Sequence, residues 1–167
     1  MKKEEFINVL KRNNYLYEIE GDKIIVTHKG YVYLDYLKTL PPGVEFKNRG
    51  NVGLNSLETL PPGVEFRNDG DVYLGSLETL PPGVHFKNDG SVNLSSLETL
   101  PPGVEFKNEG SVDLSSLETL PPGVHFKNSG DVYLNELGWV RDIKGIMIEG
   151  VENKRLLHLM ISKGLFV

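Results

Sequence analysis

The sequence predicts a mainly β repeat solenoid of about five to six 20-residue coils with an α-helical cap at each end, and three observations carry that prediction. The phrase Leu-Pro-Pro-Gly-Val begins at Leu40, Leu60, Leu80, Leu100 and Leu120, a period of 20 residues. All 10 prolines lie in these five pairs, so none interrupts the segments between them, where a missing N–H would break a strand ladder. Those segments alternate: Val64 and Phe66, then Val72 and Leu74, put apolar side chains on one face of an extended chain.

Each coil therefore reads as strand, Asn-x-Gly corner, strand, a turn lined by Leu77 and Leu80, and a proline corner. Both alternative forms of such a coil stay open, a curved horseshoe and a straighter β-solenoid with two strands per coil. Stacking about 4.8 Å apart places like residue on like residue. Asn48, Asn68, Asn88, Asn108 and Asn128 then form an inward column, expected to satisfy itself by hydrogen bonds up and down the stack. Gly70 and its equivalents fall where the chain bends, with a backbone angle expected to be closed to other residues. His28 occupies the asparagine place in a degenerate first rung, because Ile24 to Gly30 aligns with Val44 to Gly50.

A coil cannot bury its face alone, so the ends must differ from the middle. Residues 1–29 read as an N-terminal cap: Phe6, Val9 and Leu10 at helical spacing, then a hairpin from Tyr15 to His28 turning at Glu20-Gly21-Asp22. Residues 30–137 are the repeats. Residues 138–167 read as a C-terminal cap of the same continuous domain: Gly138-Trp139-Val140 replaces Glu-Thr-Leu, and Ile146-Met147-Ile148 offers a last strand. A helix from Glu152 to Lys163 then carries Leu156, Leu157, Leu159 and Met160 before Gly164.

Within the repeats, Leu77-Glu78-Thr79-Leu80-Pro81-Pro82-Gly83-Val84 together with Val92-Asn93-Leu94 resembles bacterial leucine-rich-repeat proteins of the short Leu-Pro type, over about residues 30 to 140. The resemblance implies recognition of other macromolecules through the exposed face of the Val-x-Leu strand. Two departures bear on shape. Ser-Leu follows the Val-x-Leu strand where the common repeat has x-x-Asn, and a second alternating strand occupies what is often irregular.

The balance of 18 basic and 23 acidic side chains, net −5, argues against general affinity for nucleic acid or an anionic membrane, while leaving room for a local basic stripe. Cysteine is absent, which removes disulfides, thiolate metal sites and cysteine nucleophiles. No leader-like start and no run of about 18 apolar residues is visible, so a soluble, cytoplasmic protein with no membrane contact is expected.

Chemistry is equally hard to find. The chain has no G-x-S-x-G, H-E-x-x-H or Walker-type loop. His85 and His125 sit two coils apart, about 10 Å in the stack, too far to share a zinc ion. Glutamate fills the same column at Glu45, Glu65 and Glu105, which reads as a tolerant solvent position. No enzyme, metal or cofactor is expected.

Two exposed features remain. Lys47, Arg67, Lys87, Lys107 and Lys127 form a cation column, either an anion-binding site or an ordinary charged face relieved by nearby glutamates. The outward position of the Val-x-Leu strand varies while its neighbours repeat: Tyr33, Gly53, Tyr73, Asn93, Asp113, Tyr133. The next outward position also varies, from Asp35 through Asn55, Gly75, Ser95 and Ser115 to Asn135. Rigidly held tyrosine suits binding, and it also suits β-structure for its own sake. The sequence thus points to a non-enzymatic protein–protein interaction module, monomeric, contacting an unidentified protein partner through Tyr33, Tyr73, Asn93, Asp113 and Tyr133. A structural or self-associating solenoid is the alternative, with an anion or nucleic-acid binder behind it.

Overall fold

A fixed 20-residue period means that every side chain meets its own equivalent one coil away, and the strand pairing keeps that register throughout. In the computed structural model, residues 1–118, 120–121, 123–134 and the strand Met147–Ile148 are described, and the chain winds into a β-solenoid of about five turns behind one short helix. Two strands form in each coil, so the two-stranded form of the repeat is the one adopted.

The first strands of the coils make an eight-stranded sheet. Its members are β1 (Tyr17–Glu20), β2 (Lys23–Val26), β4 (Val44–Phe46), β6 (Glu65–Phe66), β8 (His85–Phe86), β10 (Glu105–Phe106), β12 (His125–Phe126) and β14 (Met147–Ile148). The second strands make a six-stranded sheet of β3 (Val32–Tyr33), β5 (Val52–Gly53), β7 (Val72–Tyr73), β9 (Val92–Asn93), β11 (Val112–Leu114) and β13 (Val132–Leu134). All pairings are parallel except that of β1 with β2. The strands are two to four residues long because a corner follows each. The third side of the coil carries a sparse ladder among the described residues, with Glu58 N donating to Lys38 O at 3.0 Å and a bridge between Thr79 and Thr99.

The columns between the sheets are the core. Phe46, Phe66, Phe86, Phe106 and Phe126 stack nearly parallel, with ring centroids 5.3–5.4 Å apart and interplanar angles of 3–9°. Val26 takes the phenylalanine place in the first rung. Columns of Val and Leu flank the rings, buried apart from the partly exposed Leu134. At about 25 cal/mol per Å² of apolar surface, this continuous burial is the main term holding the coils together.

Two sequence expectations about the corners change. The glycines that need a positive φ are those of Pro-Pro-Gly, Gly43 to Gly123, at +73° to +78°. Proline fixes the preceding residue near −65°, and the pair makes the turn. The Asn-x-Gly glycines instead lack room: a Cβ on Gly130 would lie 2.5 Å from Ser111 N and 2.6 Å from the Gly110 carbonyl carbon. The asparagine column also finds other partners than expected. Asn68 Nδ2 donates to Gly50 O of the preceding coil at 3.0 Å and to Gly70 O of its own coil at 2.8 Å, and the other four repeat the pattern. The amides staple backbone to backbone rather than to each other, while each Oδ1 is buried with no partner among the described residues.

The N-terminal end is closed by residues chosen for it. Helix α1 (Lys3–Arg12) buries Phe6 and Leu10 against the first coil, with Glu4 and Glu5 in its first turn and Lys11 and Arg12 in its last, matching the helix dipole. The hairpin turns through Gly21 at φ +59°, and β2 doubles as the first rung of the eight-stranded sheet. The exposed edge of the six-stranded sheet is sealed by a side chain: Tyr15 OH accepts from Tyr33 N at 3.0 Å. Tyr36 belongs to the same assembly, its hydroxyl accepting from Asn13 Nδ2 at 3.0 Å. His28 sits beside it in the first rung, its ring edge-on to Tyr15 at 5.0 Å. The expected C-terminal helix, Glu152 to Lys163, lies outside the described residues; of the expected cap, residues 138–167, only β14, paired to β12, is described.

Candidate functional site

The two sheets turn different chemistry outward. On the eight-stranded sheet, the column Glu45, Glu65, His85, Glu105, His125 runs beside Lys47, Arg67, Lys87, Lys107 and Lys127. The glutamate column is no simple solvent position. Glu45 is only 6% exposed, because Lys23, Lys47 and Arg67 close over it at 3.9, 3.2 and 3.1 Å. Glu65 pairs with Lys23 at 3.2 Å and Arg67 at 2.9 Å. Burial raises the Glu65 pKa, and the hydrogen bonds from Arg67 and Lys23 more than reverse it, holding the carboxyl below its ordinary range. Glu105 is lowered chiefly by its hydrogen bond from Lys107, with Lys127 also in reach at 3.7 Å. Lys87 stands between His85 and Lys107 and makes no ion pair among the described residues.

The six-stranded sheet carries no lysine or arginine at its outward positions. Instead an acceptor column runs along it: Asn51 Oδ1, Asp71 Oδ1, Ser91 Oγ and Ser111 Oγ each accept from the backbone N–H of the equivalent residue one coil on, at 2.8–3.1 Å. These bonds satisfy N–H groups that the short strands leave over, and they fix the side chains rigidly. Tyr73 leans along its own strand, its hydroxyl donating to Asp71 Oδ2 at 3.0 Å and accepting weakly from Asn51 Nδ2 at 3.5 Å. Burial, then the bond to Asp71 and that carboxylate's charge, push the phenol pKa up, so the proton stays on Tyr73.

Of the five tyrosine-face candidates the structure brings four together. Tyr73, Asn93, Asp113 and Tyr133 line one open trough of about 290 Å³, with Asp71, Ser91, Val92 and Ser111 along its side. Tyr73 and Tyr133 are three rungs apart, about 14 Å at strand spacing, and the small side chains Asn93 and Asp113 make the floor between them. Tyr33 stands apart. It folds over Gly53, where a Cβ would meet Asp35 Oδ2 at 2.8 Å, and packs against Tyr31 at 5.8 Å. Asp71, Ser91 and Ser111 were not singled out by sequence, although their repeating Asn, Asp or Ser identity is the signal that finds them.

Chemically the trough offers aromatic walls and hydrogen-bonding groups. Asn93 Oδ1 accepts from Ser95 N and Oγ, and Asp113 Oδ1 accepts from Ser115 N at 3.0 Å. Both residues line the trough, and Asp113 Oδ2 and Asn93 Nδ2 make no hydrogen bond among the described residues. No group of three or more metal-ligating side chains occurs among the described residues, and no helix among them is long and apolar enough to cross a membrane. No family model, curated protein or solved structure matches this chain.

Proposed function

We propose that this protein is a non-enzymatic recognition module whose six-stranded face binds another protein. One observation carries the reading: the coils repeat their core almost unchanged and vary most at the outward positions of one face, and four of those varied residues line a single trough. A stack of equivalent coils holds such residues rigidly, so tyrosine contributes contact area at small entropic cost. The resemblance of the Leu-Pro-Pro-Gly coils to bacterial leucine-rich repeats supports the same use of the Val-x-Leu face. A cysteine-free sequence fits a reducing compartment such as the cytoplasm. The cation column favours the charged-face reading over an anion site, because the Glu45, Glu65 and Glu105 carboxylates answer most of it.

The test is a pull-down from lysate of the source organism at physiological salt, comparing the wild type with Tyr33→Ala/Tyr73→Ala/Tyr133→Ala shown by circular dichroism to stay folded. A partner held by the first and lost by the second is expected. A partner held equally by both overturns this face as the contact. Concentration-dependent sedimentation of the purified protein supports the structural alternative instead.

A further inference from the structure

Charge is segregated between the two sheets, and the segregation narrows the partner. The outward positions of the six-stranded sheet hold Asp35, Asp71, Asp113 and Asp131 and no cation, while every lysine and arginine column lies elsewhere. Close ion pairs among the described residues all lie on the eight-stranded sheet or the third side of the coil. An uncompensated acid face with tyrosine walls has the chemistry that recognises arginine: a carboxylate for the guanidinium fork and ring faces on which its plane stacks.

We propose that the trough between Tyr73 and Tyr133 binds an extended, arginine-bearing segment of a partner protein, lying along the stack with alternate side chains turned inward. This rests on the reading that the six-stranded face is the contact. The spacing argues for the extended form. An extended chain returns a side chain to the same face about every 6.7 Å, so residues i and i+4 lie about 13 Å apart, against about 14 Å between the two tyrosine rungs. Residue i then meets the Tyr73 ring, whose hydroxyl holds Asp71, and residue i+4 meets the Tyr133 ring at the far end of the trough. Residue i+2 comes down over the floor, where Asp113 keeps one oxygen unengaged among the described residues, within reach of a long guanidinium side chain. Flexible lysine forms the ion pairs without the stacking, so arginine is the preferred occupant.

The probes are two labelled nine-residue peptides of identical composition, one with three arginines at alternate positions and one with the three in a block, titrated by fluorescence anisotropy at physiological salt. The alternating peptide is expected to bind at least about tenfold tighter than the block peptide. Asp113→Asn is expected to lower its affinity about tenfold, while Lys107→Ala on the other sheet leaves it unchanged. Equal binding of the two peptides, or full affinity in Asp113→Asn, overturns the proposal, as does tighter binding of a neutral oligosaccharide at the same face. If the peptides fail while the triple tyrosine variant still loses its pulled-down partner, the face stands and the arginine assignment falls. If the alternating peptide binds the triple tyrosine variant at full affinity, both fall together.

Discussion

The eight-stranded and six-stranded sheets are cut from the same coils, share one core, and handle polar residues in opposite ways. On the first, Glu45, Glu65 and Glu105 lie among cations from their own and neighbouring coils, down to the nearly buried Glu45 under Lys23, Lys47 and Arg67. On the second, the polar side chains are tied to backbone N–H groups, and the acid charge is left without a counterion among the described residues. A face whose charges are mostly paired has less to offer a partner, whereas a rigid, half-satisfied face keeps its charge for one. The difference teaches that regular repetition alone does not identify a binding surface. What identifies it is where the repeat leaves interaction capacity open.

The frame that both faces hang from is the first thing to break, since its loss must damage them equally. Phe86 lies mid-stack between Phe66 and Phe106, with ring centroids 5.4 Å from each, and is fully buried. Phe86→Ala is expected to cost about 3–5 kcal/mol in urea unfolding. A loss under about 1 kcal/mol would mean that the coils are held by something other than the ring column.

The two glycine columns sharpen the comparison at the next level. Gly90 has no room: a Cβ would come within 2.5 Å of Asp71 N, so Gly90→Ala must spread the coils at the corner joining the two sheets. About 3 kcal/mol is expected, at the upper end of overpacking costs. Gly83 has open space but a φ of +78°, so Gly83→Ala is limited to the left-handed penalty of about 1–2 kcal/mol. Thermal unfolding of the two variants in parallel reads the ranking directly. A reversal would mean that the corner is soft and the proline turn rigid.

These glycines also mark the limit of what the sequence made legible. The period, the alternation of Val64 with Phe66 and Val72 with Leu74, and the placing of proline made the two-sheet stack readable, because burial columns follow from spacing alone. Spacing says which residues share a column. It does not say whether Asn68 turns its amide to its neighbour or to the Gly50 and Gly70 carbonyls, since both choices keep it inward. In the same way it made Tyr73, Asn93, Asp113 and Tyr133 one column but not one trough. That depended on Tyr73 lying down toward Asp71 and on Tyr33 folding over Gly53. Glu45 reads as solvent-exposed by pattern, and only the reach of three long cations buries it.

The smallest expected effect is the most direct comparison, the same change of carboxylate to amide made once on each sheet. Glu105→Gln removes the anion that Lys107 and Lys127 share, and a destabilisation of about 0.2–1 kcal/mol is expected at neutral pH. The sign with pH follows from the lowered pKa values. Glu65 and Glu105 titrate below their unfolded range in the folded protein, so their contribution is present above about pH 4.3 and is lost as pH falls through the folded values. Glu105→Gln should therefore flatten the acid limb of the stability profile. Asp113→Asn keeps the Oδ1 that accepts from Ser115 N and deletes a charge that no cation among the described residues offsets, so its effect should stay within about 0.5 kcal/mol and lean toward stabilising. Urea unfolding of the pair at pH 7 and pH 4 decides the matter. If Asp113→Asn loses as much as Glu105→Gln, the acid face has a structural counterion, and the contrast between the sheets is one of residue names rather than of open charge.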